Sequence, residues 1–181
     1  MVFKLTDIKA QAAFTLAEMV VAVALGTVLI LGVVSVYCFS LSSFTSISNY
    51  AELDQSSRSA GDLISRDVRN ATSVDSATTS NELVLNITDG TKVAYAFDPS
   101  ARTLVRVVSG QTNALLKSVL SLNFSLYQRP TNTSLAYEDL PPANNANAKF
   151  VAFQWQCSRK VVGSQIDSQG IQTALVDLRN Q

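Results

Sequence analysis

Histidine is absent from this chain of 181 residues, and only 15% of its residues are charged. Without an imidazole there is no histidine base, no histidine metal ligand and no Ser-His-Asp triad. Fourteen basic residues balance fourteen acidic ones. That balance removes the basic footprint of a nucleic-acid binder. Four prolines and seven glycines are too few for a fibrous or low-complexity chain. The two cysteines, Cys38 and Cys157, form neither a CxxC pair nor a disulfide framework. Bridging them requires Cα atoms within about 7 Å, which an apolar helix and a distal strand rarely provide. They read as two buried thiols. The length allows one compact domain of ordinary size.

What the chain has instead is one long apolar run. From Met19 through Ala51 there is no Asp, Glu, Lys or Arg. Its heart, Met19–Phe39, is 21 residues long and as a helix spans roughly 31 Å, one hydrocarbon core. A helix apolar on every face needs a large core or a membrane, so a membrane span is expected. Ahead of it lies a 13-residue leader, MVFKLTDIKAQAA, with Lys4 and Lys9 against Asp7. This positive excess places the N-terminus in the cytoplasm and the rest outside. A secretory signal is cut after its apolar stretch, where Ser40 and Ser42 could serve. The run is longer than a signal core, however, so the anchor is expected to stay. Glu18 stands at the mouth of the run. A carboxylate there either marks the headgroup interface or has a cationic partner and a function; its position alone leaves both open.

Ala13-Phe14-Thr15-Leu16-Ala17-Glu18 followed by an unbroken apolar helix resembles the N-terminal signal of type IV pilins and pseudopilins. The resemblance implies cutting by a prepilin peptidase between Ala13 and Phe14, followed by N-methylation of Phe14. Alanine stands where the family usually has glycine before the cut. Glu18, with Thr15 beside it, is then expected to make contacts between subunits. The implied partners are other pilin or pseudopilin subunits, the peptidase, an inner-membrane assembly platform and membrane lipid. No cofactor and no metal are implied.

Elementary electrostatics agrees with that role for Glu18. Once the leader is removed, the Phe14 amine lies about 6 Å along a helix from Glu18. In an isolated subunit the carboxylate is expected to be desolvated and unpaired, at a cost in free energy. A neighbouring helix that brings its own Phe14 amine to Glu18 neutralises it and sets register.

Helical spacing continues beyond the span through Leu41, Phe44, Ile47, Ala51, Ala60, Leu63, Ile64, Val68 and Ala71. One helix is predicted from Thr15 to Ala71, with an interruption allowed at the serine cluster Ser40–Ser48. Arg58–Asp62 and Asp62–Arg66 read as i,i+4 pairs on the outward side, and DLISRDVRN as a solvated helix face. Val74–Asn81 reads as a linker. Strands are predicted at Glu82–Thr88 and Lys92–Phe97 around an Asp89-Gly90 hairpin. Further strands follow at Thr103–Val108, one or two within Leu115–Tyr127, then Phe150–Gln156 and Thr173–Leu178. Arg129–Ala148 reads as a polar loop. About six strands over one helix give an α+β class with an antiparallel sheet. The expected organisation is a leader (1–13), a transmembrane half-helix (14–39), an amphipathic half-helix (40–72) and an extracytoplasmic head (73–181).

The head offers little chemistry. Asp89-Gly90, Glu138-Asp139 and Asp167-Ser168-Gln169-Gly170 are acidic turns without calcium-loop spacing. No phosphate loop is present, and Trp155 alternates with Phe153 as a core residue does. The expectation is a structural filament subunit and no enzyme. SRDVRNA followed by hairpins is loosely similar to J-type minor pseudopilins and W-type minor pilins. The competing reading is a membrane-anchored or secreted binding module with no filament role.

Overall fold

A computed structural model describes residues 15–129, 140–161 and 168–178. Helix α1 runs from Leu16 to Asn70, followed by β1 (Ala71–Val74), β2 (Glu82–Ile87), β3 (Lys92–Asp98) and β4 (Thr103–Val108). Then come β5 (Gln111–Lys117), β6 (Val119–Tyr127), β7 (Phe150–Arg159) and β8 (Ser168–Asp177). The chain divides between Ser43 and Phe44 into two compact units. The first unit, as far as it is described, is the apolar part of α1. Its side chains are almost all exposed, and the helix is long and apolar enough to cross a membrane.

The single long helix is as predicted, and the interruption allowed at the serine cluster does not occur: α1 is continuous. Ser42 instead donates its hydroxyl hydrogen to the Cys38 carbonyl, 3.1 Å away. That keeps the polar group inside the helical ladder.

In the second unit, residues 44–70 of α1 pack against two antiparallel sheets. The larger has the order β1-β2-β3-β4-β5 and the smaller β6-β7-β8. The α+β class is therefore as expected, but in place of about six strands in one sheet the described residues form eight strands in two sheets. One strand, β1, and the opening residues of another, β5, escape a sequence reading. β1 follows the helix directly and pairs with β2, where a linker is predicted from Val74. β5 begins at Gln111, and its first four residues are polar or small and exposed. The sheets separate at Ser118, whose φ of 62° turns the chain through a left-handed conformation that serine tolerates only at a cost. Ser109 and Gly110 have φ of 50° and 80°, the double left-handed geometry of a tight hairpin. Of the Arg129–Ala148 loop, residues 130–139 lie outside the described residues. Its last residue, Ala148, is fully buried.

The helix face in the core also differs from the predicted stripe. Ala60, Ile64 and Val68 are buried as expected. Phe44, Ile47 and Ala51 are exposed, and Asn49, Leu53 and Ser57 carry the stripe instead. Phe153 and Trp155 stack at 5.0 Å with their planes 5° apart. The Trp155 indole N–H donates to the Ser57 hydroxyl at 3.3 Å. Trp155 is thus a core residue with its polar tip satisfied. Both cysteines are free, Cys157 buried and Cys38 exposed. Burial pushes the Cys157 thiol up, with a Ser57 hydrogen bond opposing it.

Candidate functional site

The apolar helix starts with a reciprocal cap. Thr15 is the last non-helical residue before Leu16. Its backbone N–H donates to Glu18 Oε2 at 2.8 Å, and its hydroxyl donates to the same oxygen at 3.0 Å. The Glu18 backbone N–H lies 3.3 Å from Thr15 Oγ1 and donates to it. This is the Thr-x-x-Glu capping box, in which two side chains satisfy the orphan donors of the first turn. An N-cap of this kind is worth about 1 kcal/mol, and the carboxylate also faces the positive end of the helix dipole.

In the single chain the Glu18 carboxylate is held by hydrogen bonds from uncharged donors. Its Oε2 accepts two hydrogen bonds from its own Thr15. The two residues expected to make subunit contacts are brought together within one chain. Ala13 and Phe14 lie outside the described residues. The box was readable in the string Thr15-Leu16-Ala17-Glu18, a spacing that marks a helix start before it marks anything else.

A second polar site joins α1 to the larger sheet. Asp67 is buried at 6% exposure, and Tyr95 is fully buried. The Tyr95 hydroxyl donates to Asp67 Oδ2 at 2.7 Å. The Arg106 guanidinium donates to the same oxygen from Nε at 2.9 Å and Nη2 at 2.6 Å. Burial, then the Asp67 carboxylate, pushes the Tyr95 hydroxyl well above its ordinary value of 10. The segment DLISRDVRN is therefore not a solvated face throughout, because Asp67 turns inward. The predicted Asp62 pairs are replaced as well: Arg58 pairs with Asp54 at 2.9 Å, and Arg66 lies 3.7 Å from Asp67. This constellation was hidden in the sequence, since Tyr95 and Arg106 are 28 and 39 residues away.

A cavity of about 200 Å³ is lined by Glu52, Leu53, Ser56, residues 114–117 and Arg159. Glu52 and Arg159 close it with a two-point ion pair, and the Arg159 hydrogen bond holds the Glu52 carboxyl below its ordinary value. The space is smaller than ordinary ligand pockets. The Asp89 carboxylate accepts the Thr91 N–H, and Asp98 accepts those of Ser100 and Ala101, the ordinary duty of turn aspartates. Glu138, Asp139 and Asp167 lie outside the described residues. Among the described residues no three His, Cys, Asp or Glu side chains converge as a metal site.

Residues 8–34 match the family model for the prokaryotic N-terminal methylation motif. The chain is type IV pilin-like in that motif and in its fold. The match covers residues 8–14, the capping box and the first part of α1. No curated protein and no solved structure matches the chain. The motif marks a prepilin peptidase substrate that assembles with other pilin subunits. Together with the apolar helix it points to membrane anchoring.

Proposed function

We propose that the chain is a minor subunit of a type IV pilus-like or type II secretion filament. The observation that carries the reading is the methylation motif set directly on the charge-free stretch Met19–Ala51 of α1. The motif supports processing at the N-terminal end, and the helix gives that end a membrane to reside in and neighbours to pack against. In this reading the chain is anchored in the inner membrane with its N-terminus in the cytoplasm. Residues 1–13 form the leader, 14–39 the span, 40–72 the amphipathic half-helix and 73–181 the outer head. The peptidase cuts between Ala13 and Phe14 and Phe14 is N-methylated. An assembly platform in the inner membrane then receives the subunit. Glu18 takes the Phe14 amine of the neighbouring subunit, because two opposite charges buried together avoid the several kcal/mol that each costs alone.

Glu18→Gln tests the pairing. Glutamine still completes a Thr-x-x-Gln capping box, so the substitution removes the charge and keeps the helix start. Membrane fraction and leader removal should be unchanged, while crosslinking to filament partners should be lost. Normal crosslinking would sink the pairing role. An N-terminus mapped after Ser40 or Ser42 would instead favour a secreted binding module.

A further inference from the structure

From the sheet topology we infer that β8 is a docking edge on which a second copy of this chain adds its own β8, antiparallel, about a two-fold axis at Thr173. The inference goes beyond the filament reading and does not rest on it. A sheet edge presents a row of unpaired backbone groups, and native edges are shortened, covered or charged. Among the described residues three of the four edges follow that rule. β1 has only four residues, and the Asn145 amide clips the chain beyond it, donating to the Asp75 and Ser76 carbonyls at 3.0 Å. β5 opens with exposed polar residues and ends on an exposed lysine, Lys117. The outer side of β6 is occupied: the Phe124 N–H donates to the Ser80 carbonyl at 2.8 Å, and the Ala143 N–H to the Leu126 carbonyl at 2.9 Å.

β8 is the exception. Its ten residues pair only with β7 among the described residues. From Ser168 to Val176 it carries no charge and no proline. Ile171 and Leu175 stand 66% and 42% exposed on one face of it. Their cross-strand neighbours on β7 are Gln156 and Ala152, so neither has a large apolar partner on that side.

The occupant follows from self-complementarity. With Thr173 opposite Thr173 of the copy, Ile171 falls opposite Leu175 and Gln169 opposite Asp177, each twice. Both exposed aliphatic side chains then gain the cross-strand partner that stabilises a sheet. Asp177, the single charge of the strand, faces an uncharged glutamine, so no like charges meet. A one-residue slip would set this exposed face against the half-buried one. A slip that opposes Ile171 to Thr173 or to Asp177 loses the aliphatic match. One strand pair is a small interface, but copies held in one membrane by the apolar helix meet at high effective concentration.

The test uses the full-length chain in its membrane, in a Cys38→Ser background that removes the exposed native thiol and leaves the buried Cys157. Chains carrying Ile171→Cys are co-expressed with chains carrying Leu175→Cys, and a short bis-maleimide links thiols within reach. Opposed residues lie about 5 Å apart at Cβ, so the mixed chains should link. Ile171→Cys alone should not, because its two copies lie about 13 Å apart along the strands. Gln154→Cys alone should also stay unlinked, since three strand spacings of ~4.8 Å separate the two copies. Adding Thr173→Lys to both chains sets like charges on the axis and should abolish linking. Thr173→Lys in one chain with Thr173→Glu in the other should restore it, which a merely misfolded variant would not do. Three results would each overturn the inference: no link in the mixed chains, single-site controls that link as strongly, or a loss that the charge swap leaves unrescued. The first of these would assign the edge to a strand of another protein or to none.

Discussion

Replacing Asp67 with asparagine keeps the volume of the side chain and removes the charge on which Tyr95 and Arg106 converge. In the native protein a single carboxylate oxygen accepts the Tyr95 hydroxyl and two guanidinium N–H groups at 2.6–2.9 Å. Stripping one partner from a buried ion pair costs about 3–5 kcal/mol. The lower end applies here, because the Arg106 side chain is 21% exposed and can turn toward water. The expected loss is about 3 kcal/mol. Tyr95→Phe removes only one of the three donors and should cost about 1–1.5 kcal/mol. The fragment starting at Phe44, the start of the second compact unit, lacks the apolar span and should be soluble and folded. With an m-value of ~2 kcal/mol/M in urea, Asp67→Asn should lower its midpoint by about 1.5 M and Tyr95→Phe by about 0.6 M. Equal small shifts for the two variants would refute the argument that the carboxylate is the centre of this contact.

Two further predictions probe the same core. A Cβ at Gly61 would meet Trp155 Cη2 at 3.8 Å and Phe153 Cε2 at 3.9 Å, which is ordinary contact. Gly61→Ala should therefore stabilise through helix propensity, by up to about 1 kcal/mol, and raise Tm. Gly61→Leu should overpack the stacked rings and cost about 1–3 kcal/mol, and a Tm unchanged by leucine would contradict the packing described. The Tyr95 hydroxyl ionises above its ordinary value of 10, so folding favours its protonated form. This stabilisation is full below pH 10 and lost as pH rises through the folded-state value. Ultraviolet titration should show one tyrosine silent until the protein unfolds at alkaline pH, and Tyr95→Phe should remove that silent group.

The parts of this fold that were legible in the sequence are those where one physical demand dominates. Met19–Phe39 is apolar on every side, so a continuous helix long and apolar enough to cross a membrane follows. Asp89-Gly90 sits between alternating segments, and Gly90 indeed adopts a φ of 81°. The strands that escaped are those whose stability comes from a partner. Ala71–Val74 is too short to show a period, and β2 supplies its register. The opening residues of β5 have little apolar content, and β4 supplies theirs. The two sheets part at a left-handed serine, Ser118, and nothing in its neighbours announces it. Asp67 reads as one more charge on a charged helix, because its partners arrive from distant strands. The Thr15–Glu18 cap was the opposite case, fully present in four consecutive residues and overshadowed by the family likeness of the same string.

The central claim is that the apolar helix begins at a processed N-terminus. The measurement that meets it most directly is the intact mass and N-terminal sequence of the protein isolated from its own membrane. The account predicts a chain of 168 residues, the 181 of the full sequence less the 13 of the leader, beginning with N-methylated Phe14. A chain that retains Met1 and its leader, or one that begins after Ser40 or Ser42, would contradict it.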